Sequence, residues 1–214
     1  MGNRMKRVRF RASSLAEIMT DPKGKDEILS VGAKTTIRHM AKELVYGFTR
    51  TFSSKYTDKG IQVENDSIAL YNSVHFTNYV KNTERKTNEW ITGECDIAAP
   101  NRIIDIKSSW SLDTFPAMSA DAIDKTYEWQ GRAYMMLWEK PEFEVAHCLV
   151  NTPDELIGWE PPEYHFVSEI PEVLRITSVH YTRDLELEEK IKFKVDAAND
   201  YLNQLIQQIA EEHQ

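Results

Sequence analysis

Two acidic residues and a lysine, placed in two short β-type segments, are the side chains of this sequence best suited to chemistry. Asp96 ends the first segment, and the isoleucine-rich second segment contains Asp105 and Lys107. Because side chains alternate along a strand, Asp105 and Lys107 share one face. A hairpin centred on Pro100-Asn101 places Asp96 opposite Asp105, with Cβ atoms about 4.5–5.5 Å apart. Two carboxylates that close repel each other unless a proton or cation lies between them. The group is therefore suited to a divalent metal that cleaves a phosphodiester.

The acid-x-Lys spacing alone is weak evidence for a site. It occurs three more times in polar stretches, at Asp21/Lys23, Glu84/Lys86 and Glu188/Lys190. Asp105 and Lys107 differ because they lie in an apolar, β-branched run, where charges cost free energy unless they are paired or bind metal. The alternative is a half-exposed edge hairpin that carries a surface ion pair.

Composition excludes several classes of protein. The chain has 214 residues, of which 28% are charged and 41% hydrophobic, as in ordinary soluble globular proteins. No apolar run approaches the roughly 20 residues of a membrane span, and no secretory signal is recognisable. We therefore expect one domain over residues 1–214 without membrane association.

Cysteine, histidine and glycine patterns argue against other cofactors. Cys95 and Cys148 lie in apolar runs, which predicts reduced core thiols in an intracellular protein. Two cysteines cannot hold an iron–sulfur cluster, and the six histidines lack zinc-site spacing. The segment before Lys34 lacks the first glycine of a phosphate-binding loop, so we expect no ATP site.

Charge is unevenly distributed along the chain. Residues 1–60 carry a net charge of +7 and residues 61–214 carry −15, within a total of −8. Five basic residues cluster near the N-terminus: Arg4, Lys6, Arg7, Arg9 and Arg11. Such a cluster can bind a polyanion even in an acidic protein. A solvated tail is the equally good alternative for Arg4 to Arg7.

Periodicity and turn residues predict an α/β fold. A capping box at Ser14 to Glu17 predicts a short first helix. Further helices are predicted over 33–46, 60–71, 121–138 and from about Leu185 to the end, with strands near 73–80, 89–97, 102–107 and 144–150. Residues 108–119 and 151–171 are predicted to be irregular. This order predicts a mixed β-sheet flanked by helices, with a long C-terminal helix.

Two predicted helices carry a polar residue on an apolar face. Glu64 lies on the stripe that also contains Ile61, Ile68 and Tyr71, so it is expected to face a metal or a cation unless it reaches solvent at the boundary. Gln130 lies on a second stripe, made by Tyr127, Tyr134 and Leu137. A structural hydrogen bond would equally explain Gln130.

These pieces together resemble the PD-(D/E)XK nuclease superfamily, in its RecB-type and phage lambda-exonuclease (YqaJ-like) branch. The branch has a helix glutamate, Gly-x-x-Asp, Asp-x-Lys and Gln-x-x-x-Tyr in that order. They stand here as Glu64, Gly93 to Asp96, Asp105 to Lys107 and Gln130 to Tyr134. The segment Arg11 to Ser14 is similar to the branch's Thr-Ala-Ser segment, so the likeness covers residues 11–150.

The resemblance implies a restriction-endonuclease-like core and roles for individual residues. Catalytic roles fall on Asp96, Asp105, Lys107 and Glu64. Mg²⁺ or Mn²⁺ would be bound by Asp96, Asp105, Glu64 and the carbonyl of Ile106. DNA contacts are expected from Arg11, Ser13, Ser108, Gln130 and Tyr134. For Ser13, which is placed at a helix N-terminus, simple capping is the alternative.

The implied activity is a metal-dependent DNA exonuclease that digests linear duplexes 5′→3′ in recombination or repair, encoded by a phage. The resemblance places it in the cytoplasm of a bacterium or a phage-infected host. A ring-shaped homo-oligomer and a single-strand annealing protein are partners by analogy alone. A site-specific or structure-specific endonuclease and a non-cutting DNA-binding or assembly protein are the alternatives. Two departures from the branch are Arg11, where threonine is usual, and Gly131, where an apolar residue is usual.

Overall fold

The computed structural model describes residues 7–49, 51 and 53–213, so Arg4 and Lys6 of the basic cluster lie outside it. The helices are α1 Ala16–Met19, α2 Val31–Tyr46, α3 Lys55–Gln62, α4 Glu64–His75, α5 Lys125–Trp138, α6 Asp154–Ile157 and α7 Leu185–Glu212. The strands are β1 Phe10–Arg11, β2 Lys86–Thr87, β3 Ile91–Gly93, β4 Ile97–Ala98, β5 Arg102–Ser108, β6 Glu142–Cys148 and β7 Ile176–Thr182. Short 3₁₀ turns cover Ala12–Ser14, Pro162–Tyr164 and Glu172–Leu174.

The strands form two sheets of mixed direction. The smaller sheet has the order β1-β3-β2, and the larger has the order β4-β5-β6-β7. The β4–β5 hairpin pairs Ile97 with Ile104 and Ala98 with Ile103. β5 and β6 run parallel, and α5 forms the crossover between them. The predicted hairpin register, centred between residues 100 and 101, is confirmed.

Helices cover both faces of the larger sheet, which confirms the predicted α/β architecture. On one face Ile103 and Phe143 pack in a core with side chains of α1, α2, α5 and α7. On the other face Ile104 and Ile106 pack with residues of α4. The alternation along β5 therefore turns Asp105 and Lys107 toward α5 and the larger core.

Local sequence signals account for the ends of the long helices. The Ser30 hydroxyl accepts a hydrogen bond from the backbone N–H of Ala33, which caps α2, and Gly47 ends that helix with a φ of 67°. The Asp184 carboxylate accepts from two backbone N–H groups at the start of α7. The predicted capping box at Ser14 is wrong, because the Ser14 hydroxyl donates to the Arg11 carbonyl at 3.4 Å.

Three element predictions differ from the structure. The helix predicted over 60–71 is two helices separated at Val63, which has a ψ of 13°. Residues 73–80 are not a strand, because Asn72 binds the backbone of Tyr79 with both ends of its amide. β7 was not predicted, and the stretch 89–97 contains two short strands in different sheets.

Within the described ranges, no helix is both long enough and apolar enough to cross a membrane.

Candidate active site

The Asp96 carboxylate reaches across the hairpin to the strand that carries the other charged residues. The backbone N–H of Ile106 donates to Asp96 Oδ2 at 2.7 Å. Asp96 directly precedes β4, so this side-chain hydrogen bond extends the contact between the two segments one residue beyond the paired strands. Burial, together with the negative charge of Asp105, raises the pKa of Asp96 to about 7.

Asp105 is 1% exposed and is held by two neighbours. Gln130 Nε2 donates to Asp105 Oδ1 at 3.2 Å, and Lys107 Nζ lies 2.6 Å from Asp105 Oδ2. The latter contact is an ion pair without good hydrogen-bond angles, so Oδ2 is a buried oxygen without a hydrogen-bond donor. A buried carboxylate oxygen in this state is a suitable ligand for a cation.

Lys107 lies between the carboxylates and the first turn of α5. Its ammonium is 4.7 Å from the centroid of the Tyr127 ring and donates to Gln130 Oε1 at 3.4 Å. Burial acts to lower the pKa of Lys107, but the negative charge of Asp105 acts to raise it, and the net shift is upward. Lys107 is therefore a cation under ordinary conditions.

Gln130 and Tyr134 link α5 to both acidic segments. Gln130 Nε2 also donates to the Tyr134 hydroxyl at 3.0 Å, and that hydroxyl donates to the Glu94 carbonyl at 2.9 Å. The chain of contacts thus runs from Lys107 and Asp105 through Gln130 to the backbone near Asp96. These contacts fix the orientation of the Gln130 amide, whose oxygen accepts a hydrogen bond from Lys107 and whose nitrogen donates one to Asp105.

Two glycines allow α5 to approach this closely. A Cβ on Gly131 would lie 1.9 Å from the ring of Phe143 in β6. A Cβ on Gly93 would lie 2.8 Å from the Tyr134 ring and 3.0 Å from Ala12. The close contact with Phe143 therefore explains why position 131 is glycine, although the motif usually has an apolar residue there.

The other residues predicted for the site do not belong to this hydrogen-bonded group. Glu64, at the start of α4, forms an ion pair with Lys81, although its charge still acts on Asp96. Ser108 shares a hydrogen bond of 2.8 Å with the Ser67 hydroxyl, on the opposite face of β5 from Lys107. Arg11 and Ser13 are exposed on β1 and the 3₁₀ turn, and Ser13 therefore does not begin an α-helix.

The donor atoms present fit a hard divalent cation. Asp96, Asp105 and the carbonyl of Ile106 offer oxygen ligands of the type that Mg²⁺ or Mn²⁺ prefers. Two carboxylates against one ammonium leave an excess negative charge that a cation would offset. Among the residues described, however, no three His, Cys, Asp or Glu side chains are already grouped as a metal site. Glu64 would have to leave Lys81 to become a third carboxylate ligand.

A cleft of about 370 Å³ opens beside Lys107. Its lining includes Tyr127, His147 and Tyr56, none of which was predicted as a site residue. Tyr127 could have been found, because it shares a helical stripe with Gln130. His147 lies in β6 directly opposite Lys107, a pairing that only the structure reveals. A larger cavity of about 990 Å³ is lined by Arg11 and Ser14 but not by Asp96, Asp105 or Lys107. Asp96 and Asp105 do not line the smaller cleft either, but Lys107 does, so the smaller cleft is the candidate substrate site.

Comparisons with known proteins bear on the fold and the family of the chain. The chain matches no family model and no curated protein. It is similar in structure to a phage-related exonuclease from Haemophilus somnus 129PT, with 37% identity, a TM-score of 0.90, and coverage of 97% of this chain and 99% of that one.

An alkaline exonuclease from Laribacter hongkongensis has the same fold at 13% identity and a TM-score of 0.68, covering 96% and 93% of the two chains. The complex of that exonuclease with dAMP has 15% identity to this chain and a TM-score of 0.69, with the same coverage. The ordered motifs, the fold and the 37% identity together assign the chain to the PD-(D/E)XK nuclease superfamily, in its phage lambda-exonuclease-like (YqaJ-like) branch.

Proposed function

We propose that this protein is a metal-dependent DNA exonuclease that hydrolyses phosphodiester bonds from the ends of linear duplexes. The observation that carries the proposal is the contact set of Asp105, which meets Lys107 and Gln130 while Asp96 binds the adjacent backbone. Two carboxylates, an ammonium and an orienting amide are thereby held together, and the ammonium lines the cleft. That is the set of groups needed to position a water against a phosphate.

Each residue of the site has a definite role in the proposed hydrolysis. Asp96, Asp105 and the Ile106 carbonyl would hold Mg²⁺ or Mn²⁺, with Glu64 joining on release from Lys81. When bound, the metal supplies a water of lowered pKa and neutralises charge on the scissile phosphate. Lys107 orients the water or stabilises the negative charge that develops at phosphorus. Gln130 keeps the amide oxygen toward Lys107 and the amide nitrogen toward Asp105, while Tyr134 fixes Gln130.

DNA contacts outside the chemical centre are assigned to Arg11 and Ser13, which are exposed and able to meet phosphates. Ser108 belongs to this group by its place after Lys107, although its hydroxyl is engaged by Ser67. The two structural neighbours described as exonucleases, one of them with bound dAMP, support action on DNA. The 5′→3′ direction, the ring-shaped oligomer, the annealing partner and a phage-borne recombination role belong to the same proposal.

Linear and covalently closed circular DNA distinguish the alternatives. The purified protein would be incubated with each, in Mg²⁺ and in EDTA, beside the Asp105→Ala variant. Mg²⁺-dependent loss of end-labelled linear DNA alone supports the exonuclease, and the order of label release gives the direction. Cutting of the circle would indicate an endonuclease instead. DNA binding without any cutting would indicate a non-catalytic protein.

A further inference from the structure

The cleft beside Lys107 has an aromatic wall that the chemistry of hydrolysis does not use. Tyr56, from the first turn of α3, lines this cleft together with Lys107 and is 56% exposed. Its ring meets Trp110 edge to face, with centroids 5.3 Å apart and planes inclined by 78°. The Lys55 ammonium lies 5.3 Å from the Tyr56 ring centroid and is ion-paired with Glu160. An exposed tyrosine beside the catalytic lysine offers a surface on which a flat ring can stack.

Trp110 makes a rigid support for that tyrosine. It is 6% exposed, and its indole N–H donates to Glu160 at 2.9 Å. Its carbonyl accepts from Lys59 Nζ at 3.0 Å and from the Thr152 hydroxyl at 2.8 Å. Both polar ends of the tryptophan are therefore held, so the neighbouring ring of Tyr56 has a fixed backing.

Lys59 connects this support to the catalytic strand. It is fully buried, and its ammonium also donates to the carbonyls of Ser109 at 2.7 Å and Val150 at 2.9 Å. Ser109 directly follows β5, and Val150 lies two residues beyond β6. One buried ammonium thus ties α3, which carries Tyr56, to the ends of both central strands.

The distribution of charge divides the cleft into two parts. Lys107 is the one lysine or arginine among the described residues of its lining, and Asp121 and Asp124 also line it. Carboxylates repel a phosphate but can accept hydrogen bonds from the amino groups of a base. The phosphate therefore belongs at Lys107. Near Tyr56 the charge of Lys55 is already offset by Glu160, so an uncharged, flat group belongs there.

We propose that Tyr56, backed by Trp110, is a base-stacking residue that holds the nucleobase adjacent to the scissile phosphate. The inference rests on the proposed hydrolysis of DNA and adds a binding subsite to it. Stacking is tolerant of sequence, because every base has a flat face. The subsite would thus locate the chain end without selecting a base.

Substrates that lack one base test this subsite directly. Linear DNA with a single abasic residue at each position flanking the first scissile bond would be digested in Mg²⁺, and kcat/KM measured. For the wild-type protein, one abasic position should lower kcat/KM by about fivefold to 150-fold, the factor that corresponds to the free energy of one base stacked on an aromatic side chain. Tyr56→Ala should lose a similar factor on intact DNA and lose nothing further at that position.

Control variants separate stacking from other effects. Tyr56→Phe keeps the ring and should behave as wild type. Phe193→Ala removes an aromatic that is also 56% exposed but lies on α7 outside the cleft, and should respond to abasic DNA as wild type. Tyr56→Leu replaces the alanine variant if that variant does not fold.

The inference is overturned if the alanine or leucine variant digests DNA but responds to every abasic position as the wild-type protein does. It is also overturned if no abasic position affects the wild-type enzyme. Failure of the wild-type protein to digest intact DNA would instead overturn the proposed function, and the stacking subsite with it.

Discussion

The side chain of Asp96 and the backbone N–H of Ile106 form a hydrogen bond of 2.7 Å across the β4–β5 hairpin. The carboxylate therefore has a structural partner in addition to its proposed metal. Ile106 is 8% exposed, so its N–H has little access to water as a substitute. These two roles of Asp96 can be separated by mutation.

Asp96→Asn should fold normally and lose DNA hydrolysis, because the amide oxygen can still accept from Ile106 while the charge that holds the metal is lost. Asp96→Ala should lose hydrolysis and also about 1–3 kcal/mol of unfolding free energy, because a buried N–H is left without an acceptor. Urea unfolding in EDTA, together with an activity assay in Mg²⁺, measures both effects. Equal stability of the two variants would contradict the structural role.

Gly131→Ala should destabilise the protein by about 1–3 kcal/mol, because the new methyl group would overlap the Phe143 ring. Gly60→Ala is the matched control, since that glycine lies in α3 and a Cβ there meets no atom within 4 Å. The control should gain about 0.4–1 kcal/mol from the smaller entropy of its unfolded chain. Urea unfolding compares them, and an undiminished stability of Gly131→Ala would show that α5 does not pack as described.

Lys81→Gln should lower the Mg²⁺ concentration needed for half-maximal digestion, by at most about fivefold. The reason is that Lys81 competes with the metal for Glu64, and a partly exposed ion pair is worth about 0–1 kcal/mol. Glu64→Gln should raise that concentration. If both variants have the Mg²⁺ dependence of the wild-type protein, Glu64 is not a metal ligand.

Acid should weaken one ion-pair cluster near the aromatic wall. Hydrogen bonds from Lys55 and from the Trp110 indole lower the pKa of Glu160 to about 2. Because this value lies below the ordinary 4.5, the ionised carboxylate stabilises the folded state above about pH 4.5, and the contribution is lost as the pH falls toward 2.

Glu160→Gln removes that contribution at every pH. The unfolding temperatures of wild type and variant should therefore differ at pH 7 and converge as the pH is lowered from 4.5 toward 2. A difference that stays constant over this range would contradict the assigned role of Glu160.

Local patterns predicted the grouping of Asp96, Asp105 and Lys107, because it depends on short sequence separations. The Pro100-Asn101 turn gave the register of the hairpin, and strand alternation gave the common face of Asp105 and Lys107. The helical period placed Gln130 and Tyr134 together on one side of α5, where they are buried. Each of these inferences depends only on residues within a single hairpin, strand or helix.

The aromatic wall could not be predicted in the same way. Lys59 is a lysine in a polar stretch of sequence, and its burial follows from contacts with carbonyls 50 to 91 residues away. Tyr56 and Trp110 meet only after α3 packs beside the end of β5. Likewise, the close approach of α5 to β6 at Gly131 could not be predicted, because it depends on which residue of β6 faces α5.

Lys107→Ala gives the most direct test of the proposed mechanism. The variant should fold and bind metal, because Asp96, Asp105 and Gln130 remain, yet its kcat on linear duplex DNA in saturating Mg²⁺ should fall by at least about 10²-fold. Lys107→Gln, which keeps a hydrogen-bond donor without the charge, should be similarly impaired if stabilisation of developing negative charge is the role of Lys107. A Lys107→Ala protein that digests DNA at the wild-type rate would contradict the proposed active site.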